Sequence, residues 1–362
     1  LFLNFNVDDG IFLGGGFLYT KHGFRKEPYQ SNHLFLGSYA FNTSSFNFKY
    51  DGHFAQLIGR WGLELNADIK SPNYVNNFFG LGNESVFDRN IDENPAVNVD
   101  NAIQYYRMRF KETNLDLRLE QTFSSGFFIK AGPRFQSVEL EDPEGRDRFI
   151  GDYDATLPVS QLEVTKVFGG ASLGLGFSKV NHPTLTTRGV RFAVNSGWME
   201  QLNGSGSFTS HSAALSLYQS FRLPARVSFA FRAGAGTTTG TPQFYQLQIL
   251  DGKTELRGFR KTRFYGDSKV FFNNEVRVKL ANLRSYIVPS SLGVSFFYDV
   301  GRVWYEDANG LDPSVPSGKS TRWHKGYGGG VCFTPFNLTV VSTDVGFSEE
   351  GWLAYVRLGF LF

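Results

Sequence analysis

Apolar and polar residues alternate along much of the chain, so that the two faces of each segment differ. The pattern is clearest in residues 114–123. One face of this segment is apolar and consists of Leu115, Leu117, Leu119 and Phe123. The other face is polar and consists of Asp116, Arg118, Glu120 and Thr122. Because successive side chains of a β-strand point to opposite faces, the pattern predicts a strand between two unlike environments.

The same alternation recurs in residues 61–69, 226–235 and 292–300. Each run has about the 9 to 11 residues that a tilted strand needs to cross a bilayer. The apolar face would meet a second sheet in a soluble sandwich and lipid in a barrel, and periodicity does not choose between them. No stretch approaches the roughly 18 consecutive apolar residues of a membrane-spanning helix, which excludes a helical membrane protein.

The composition favours the barrel. The 362 residues include 38 Phe, 16 Tyr, 5 Trp and 40 Gly, and hydrophobic residues make up 41%. In lipid, every backbone N–H and C=O must be paired within the protein, so a strand-rich membrane chain closes into a barrel. Aromatic residues occupy the lipid face and the interfacial girdles of such barrels. We therefore expect Trp61 and Trp352 to face lipid or its interface.

Turn residues divide the chain into about sixteen strands, an even number as in bacterial single-chain barrels. The strands are predicted near residues 10–20, 31–42, 44–56, 60–70, 101–111, 113–123, 126–138, 167–178, 187–198, 208–221, 225–236, 268–280, 291–303, 322–333, 336–346 and 352–362. The predicted fold class is all-β, a closed antiparallel transmembrane β-barrel. It forms a single domain, residues 1–362, closed by pairing of its first strand (10–20) with its last (352–362).

Four longer connections interrupt the strands, at residues 71–100, 139–166, 237–267 and 304–321. If the first strand runs outward, the last three lie outside the cell, where long loops are typical. The first would lie on the periplasmic side, where turns are short. Either it folds against the barrel mouth, or one hairpin before it is miscounted.

No pattern in the chain points to catalysis or to a cofactor. The six His residues lack the spacing of a metal site, and Cys332 is the only cysteine. The single Gly-x-Ser-x-Gly match, residues 170–174, lies in a run that alternates like a strand and does not indicate a nucleophile elbow. The carboxylates Glu64 and Asp116 alternate with basic residues and are expected to form a salt-bridged lining. The net charge of +2 gives no reason to expect a nucleic-acid partner. We predict a non-enzymatic barrel with no metal and no cofactor.

The most specific stretch is residues 255–304. Leu256-Arg257-Gly258-Phe259 precedes a strand with Glu275, and the next strand contains Asp299-Val300-Gly301-Arg302-Val303-Trp304. This order resembles the BamA/TamA-type outer-membrane assembly superfamily, which includes the bacterial surface-antigen barrels. The resemblance implies that the Arg-Gly-aromatic motif folds back into the lumen.

The residues themselves suit that role. Glu275 lies on the polar face of its strand and Asp299 on the polar face of the next, so Arg257 is expected to meet one or both carboxylates. A guanidinium binds a carboxylate with two parallel hydrogen bonds, which a Lys cannot do. Gly258 allows a close backbone approach. We predict a loop lock inside the lumen, formed by Arg257, Gly258, Phe259, Glu275 and Asp299.

Both ends of the chain suggest a lateral seam. The last predicted strand contains Gly359, Phe360 and Phe362 and resembles the terminal sorting strand of outer-membrane barrels. The first predicted strand contains the run Gly14, Gly15 and Gly16. Glycine weakens a strand interior, so the run suits an opening edge. It equally suits a strand that makes room for a loop filling the lumen.

The resemblance implies an outer-membrane protein that inserts or translocates other outer-membrane proteins through this seam. Its expected partners are membrane lipid and lipopolysaccharide, client barrel proteins and periplasmic assembly factors. Because the chain begins with Leu1 rather than Met, an upstream periplasmic or passenger domain is expected to be missing. Residues 8–25 also resemble barrels fused to phosphoesterases in Bacteroidota. The alternatives are therefore a barrel that anchors or exports a fused phosphoesterase or patatin-type hydrolase, and a plugged pore.

Overall fold

One antiparallel sheet dominates the molecule. The computed structural model describes residues 2–6, 10–24, 26–41, 44–141, 147–157, 160–223, 225–284, 286, 288–306, 321–336 and 338–362. Within that part of the chain, sixteen strands pair in sequence order and a separate hairpin, β12 with β13, interrupts them. The strands are β1 (Phe2–Asn6), β2 (Gly10–Gly23), β3 (Lys26–Ala40), β4 (Ser45–Ile58), β5 (Trp61–Asn77), β6 (Arg107–Thr122), β7 (Phe127–Leu140), β8 (Lys166–Val180), β9 (Gly189–Gln201), β10 (Ser207–Leu223), β11 (Ala225–Gly240), β12 (Gln248–Leu250), β13 (Phe264–Gly266), β14 (Ser268–Leu283), β15 (Ser290–Trp304), β16 (His324–Pro335), β17 (Val341–Ser348) and β18 (Gly351–Leu358).

The apolar face of the sheet is the exposed one. Leu115, Leu117 and Leu119 keep 39 to 40% of their surface accessible although they form a continuous apolar row. On the opposite face, Lys130 binds Glu64 at 2.7 Å and Glu120 at 3.1 Å. Exposed leucines and paired charges are the arrangement of a membrane barrel rather than of a soluble sandwich. The structure thus favours the membrane barrel over the soluble sandwich, which the periodicity alone could not distinguish.

The predicted strand count is right, but two of the predicted strands are wrong. Residues 101–111 and 113–123 do not form two strands, because β6 runs unbroken from Arg107 to Thr122. Residues 102–106 are instead a short helix, α1 (Ala102–Tyr106), whose first turn is capped by the side chain of Asn101. The strand β1 was not predicted. These two errors cancel in the total.

The corrected strand order also explains the misplaced connection. With β1 included, the long connections follow β5, β7, β11 and β15, and all of them leave the same edge of the antiparallel sheet. The mismatch came from two errors, because the single strand β1 was missed before residue 71 and the strand β6 was counted as two after it. The expected miscount of one hairpin is wrong. We name this edge the outer edge, because long loops of outer-membrane barrels are extracellular. The opposite edge carries short turns, such as residues 59–60 between β4 and β5.

The two ends of the sheet lie side by side without a shared ladder. Cα atoms of β1 and β18 approach within 8 Å, yet no hydrogen-bonded register joins these strands among the described residues. The expected pairing of residues 10–20 with residues 352–362 is wrong, since β1 occupies that side of β2 from Phe2 opposite Gly14 to Asn6 opposite Gly10.

A layer of loops covers part of the outer edge. It contains α1, a second helix α2 (Phe149–Asp154), and two 3-10 helices, Ile91–Glu93 and Phe244–Gln246. An aromatic and aliphatic cluster around Phe78 and Tyr265 joins these loops to the strand tops. None of the helices in the described part of the chain is long and apolar enough to span a membrane.

The lipid-facing role of the apolar row can be tested with Leu115→Arg. An arginine near the middle of a lipid-facing strand destabilises an outer-membrane barrel by about 2 to 4 kcal/mol, and we expect that loss in guanidinium unfolding from lipid vesicles. Asn114→Arg is the matched control, because Asn114 lies one residue away on the polar face. An equal loss for both substitutions would contradict the assignment of the faces.

Candidate functional site

A buried arginine from the long loop binds two strand carboxylates. We name residues 241–267, between β11 and β14, the long loop. Its Arg257 is 1% exposed and donates from Nε at 2.7 Å and Nη2 at 2.9 Å to the two oxygens of Asp299. Nη1 lies 2.5 Å from Glu275 Oε2. The structure therefore brings the two carboxylates to one guanidinium, with bidentate geometry toward Asp299.

The register of two neighbouring strands positions these carboxylates. Phe297 of β15 lies opposite Glu275 of β14, and Asp299 lies opposite Asn273. Glu275 and Asp299 are consequently diagonal neighbours on one face, within reach of one planar group. The guanidinium also lies 3.6 Å above the ring of Phe297, which adds a cation–π contact.

The electrostatics favour the charged arginine. Burial by itself lowers the pKa of Arg257, but the hydrogen bonds and charges of Asp299 and Glu275 outweigh it and raise the pKa above its ordinary value. Arg277 binds the other oxygen of Glu275 at 2.6 Å. The four side chains together carry two positive and two negative charges, so the buried cluster is neutral.

Gly258 passes where a side chain would not fit. Its φ is +101°, and a Cβ at this position would lie 2.6 Å from the carbonyl oxygen of Phe347 in β17. Its N–H donates to the Tyr355 hydroxyl at 2.8 Å, and its carbonyl accepts from Ser348 Oγ at 2.7 Å. The loop is thus hydrogen-bonded to the last two strands at this residue.

Phe259 anchors the loop by burial. Its side chain is fully buried in a cluster with Leu256 and Phe264 of the loop and with Phe271 and Val303 of β14 and β15. The motif residues therefore combine an ion cluster, a close backbone approach and an apolar anchor.

Two further loop residues were missed as anchors from the sequence. Arg263 is buried and donates to Glu350 Oε1 at 2.5 Å and to the Ser85 carbonyl at 2.6 Å. Its burial lowers its pKa despite Glu350. Lys261 donates to the Val75 carbonyl at 2.8 Å. Neither residue lies in a sequence motif that would have marked it as an anchor.

The C-terminal residues expected at the seam lie outside the last strand. The last strand ends at Leu358, and Gly359 follows with a φ of +117°. Phe360 lies 3.8 Å from the Arg277 guanidinium by ring centroid, and the backbone oxygen of Phe362 accepts from Arg277 Nη2 at 2.9 Å. Placing Gly359, Phe360 and Phe362 in the terminal strand is wrong, because Arg277 draws this segment to the polar face.

The glycine run lies in the second strand of the sheet, whereas it was expected in the first. Gly14, Gly15 and Gly16 belong to β2 and pair with Ser38, Gly37 and Leu36 of β3. On its other side Gly14 pairs with Phe2, and no described strand continues that pairing to Gly15 and Gly16. These glycines border the seam but do not form its outermost strand, because β1 precedes them.

The sheet with its lipid-exposed face and loop-bound polar face defines an outer-membrane β-barrel protein. Residues 38–338 match the Omp85 superfamily domain. The chain belongs to the Omp85 superfamily, and the resemblance seen in residues 255–304 is confirmed. Its membership of Bacteroidota and its fusion to a phosphoesterase stay predictions. The chain matches no curated protein sequence.

Solved structures show the same fold at low sequence identity. BamA from Haemophilus ducreyi lacking POTRA domains 1–3 is 14% identical with a TM-score of 0.65, over 98% of this chain and 67% of that one. CdiB from Escherichia coli is 15% identical with a TM-score of 0.60, over 98% and 61%. CdiB from Acinetobacter baumannii is 12% identical with a TM-score of 0.59, over 98% and 58%. This chain spans about three fifths to two thirds of these proteins.

Removing the guanidinium tests the ion cluster. Arg257→Ala leaves Asp299 without its bidentate partner in a buried site, so we expect a loss of about 3 to 5 kcal/mol in the free energy of unfolding. The measurement is unfolding by guanidinium chloride in lipid vesicles. Lys253→Ala is the control, because Lys253 is an exposed residue of the same loop. A loss below 1 kcal/mol would mean that the cluster does not hold the loop.

The close approach at Gly258 makes a separate prediction. Gly258→Ala combines an unfavourable φ with a steric clash and should cost about 3 kcal/mol. Gly59→Ala is the matched control, because Gly59 has a φ of +63° but no atom within 4 Å of the added Cβ. It should cost only about 1 kcal/mol. Equal losses in thermal unfolding would refute a tight contact between the loop and β17.

Proposed function

We propose that this protein inserts or translocates other outer-membrane proteins through the lateral seam between β1 and β18. The polar face of the sheet is then the lumen, and the long loop is folded into it as a plug. The observation that carries the proposal is the absence of a hydrogen-bonded register between β1 and β18 within the described chain, although the two strands lie within reach of each other.

An unpaired strand edge is a template for another strand. Its free N–H and C=O groups pair with any extended segment that reaches them. In lipid such groups are costly when left alone, so a client strand at the seam gains more than it would in water. β1 spans five residues and β18 eight, against 12 to 17 for each strand from β2 to β11 and from β14 to β16. The seam is therefore the weakest line in the sheet.

The long loop supports the same function by keeping the rest of the barrel rigid. Arg257 fixes the loop to β14 and β15, and Gly258 fixes it to β17 and β18. Opening at the seam then leaves the plug and the adjoining wall in place. Client barrel proteins and periplasmic assembly factors are the partners of this function, and an upstream domain would receive the clients.

A crosslinked seam tests the proposal directly. In a Cys332→Ser background, one cysteine is placed in Phe2–Asn6 and one in Gly351–Leu358, choosing pairs that oxidise without loss of folding. The full-length protein in lipid vesicles should accelerate folding of a urea-unfolded eight-stranded outer-membrane barrel. Oxidation of the seam pair should abolish the acceleration, and reduction should restore it.

The control joins two strands that are already paired, with cysteines at Val278 and Val294, which lie opposite each other in β14 and β15. Its oxidation should leave the rate of client folding unchanged. If the crosslinked seam is equally active, clients do not pass through it. The barrel would then act passively, as a plugged pore or as the anchor or exporter of a fused phosphoesterase or patatin-type hydrolase.

A further inference from the structure

A basic cleft opens at the outer edge beside β18. It has a volume of about 880 Å³ and lies between the connection that follows β5 and the start of β18. Arg89, Arg107 and Arg260 line it. The Arg89 guanidinium reaches the first residue of β18, because a Cβ added to Gly351 would lie 2.9 Å from Nη2. The cleft is therefore directly at the outer end of the seam.

The charge of the cleft is positive. Two carboxylates, Asp92 and Glu350, accompany the three arginines. One of the two is already engaged, since Glu350 Oε1 accepts from the buried Arg263 at 2.5 Å. Among the residues that line the cleft, three positive charges stand against two negative ones. An anion entering the cleft therefore meets a net positive field.

An exposed tryptophan beside the cleft indicates its depth in the membrane. Trp352 lines it and is 66% exposed at the outer end of β18. Exposed tryptophans at strand ends mark the membrane–water interface, where lipid headgroups lie. Trp61, 37% exposed, occupies the opposite edge of the sheet. Arg89, whose guanidinium reaches Gly351 beside Trp352, is thus at the level of the headgroups of the outer leaflet.

We propose that this cleft binds the phosphate groups of a lipid A-type glycolipid at the outer end of the seam. Guanidinium groups bind phosphate with paired, charge-assisted hydrogen bonds. Basic pockets at membrane interfaces hold anionic headgroups in the same way. The membrane lipid is favoured over a free anion because the cleft adjoins an interfacial tryptophan. The proposal goes beyond client insertion and does not depend on it.

The test uses the full-length protein in detergent and bisphosphorylated lipid A, with binding measured by native mass spectrometry and by titration. Arg89→Gln with Arg260→Gln should weaken binding at least tenfold, and Arg89→Gln alone should weaken it measurably. Arg226→Gln is the matched control, an exposed arginine at the opposite edge, and should bind as the parent does. Thermal unfolding of each variant verifies its fold.

Two further arms separate the sources of phosphate. Lipid A without its phosphates should bind the parent protein weakly. Its affinity should be no higher than the affinity of bisphosphorylated lipid A for the double variant. Inorganic phosphate at millimolar concentration should compete only weakly. If inorganic phosphate binds the cleft as tightly as lipid A does, the cleft is a simple anion site and the proposed lipid site is wrong. Unchanged lipid A binding by the folded double variant would overturn the proposal altogether.

Discussion

A neutral cluster of four buried charges organises the half of the barrel that carries the long loop. Arg257 from the loop meets Asp299 and Glu275, and Arg277 completes the charge balance. An isolated buried charge would be strongly unfavourable, but a paired and hydrogen-bonded set is tolerated and resists the loss of any member. Because the loop supplies one cation and the strands supply the other three groups, the loop has one place to bind. The apolar anchor Phe259 then packs in that place.

The two halves of the sheet differ in what covers their polar face. The long loop packs against β14 to β18 with full burial of its anchors. On β4 to β7 the polar face carries half-buried ion pairs, such as Lys130 with Glu64 and Glu120. Such pairs are screened by water and hold the wall less tightly than packed side chains do.

Much of this arrangement was predictable, because alternation and an Arg-Gly-aromatic motif are local signals. Strand faces follow from a period of two, and the diagonal of Glu275 and Asp299 follows from pairing neighbouring strands. The errors have two different physical origins, which are long-range contacts and short strand length. Arg263 is buried by Ser85 and Glu350, which lie 178 and 87 residues away in the chain. The strand β1 is five residues long and carries too few alternations to be recognised.

The same cluster also sets the length of the last strand. Gly359 leaves the strand with a positive φ, its N–H donates to the Val340 carbonyl at 2.7 Å, and Arg277 then binds Phe360 and Phe362. If these residues continued β18, they would extend the edge that faces β1. Holding them at Arg277 keeps that edge short, and Arg277 is in turn held by Glu275, the partner of Arg257. The ion cluster that binds the loop is thereby also connected to the residues that follow β18.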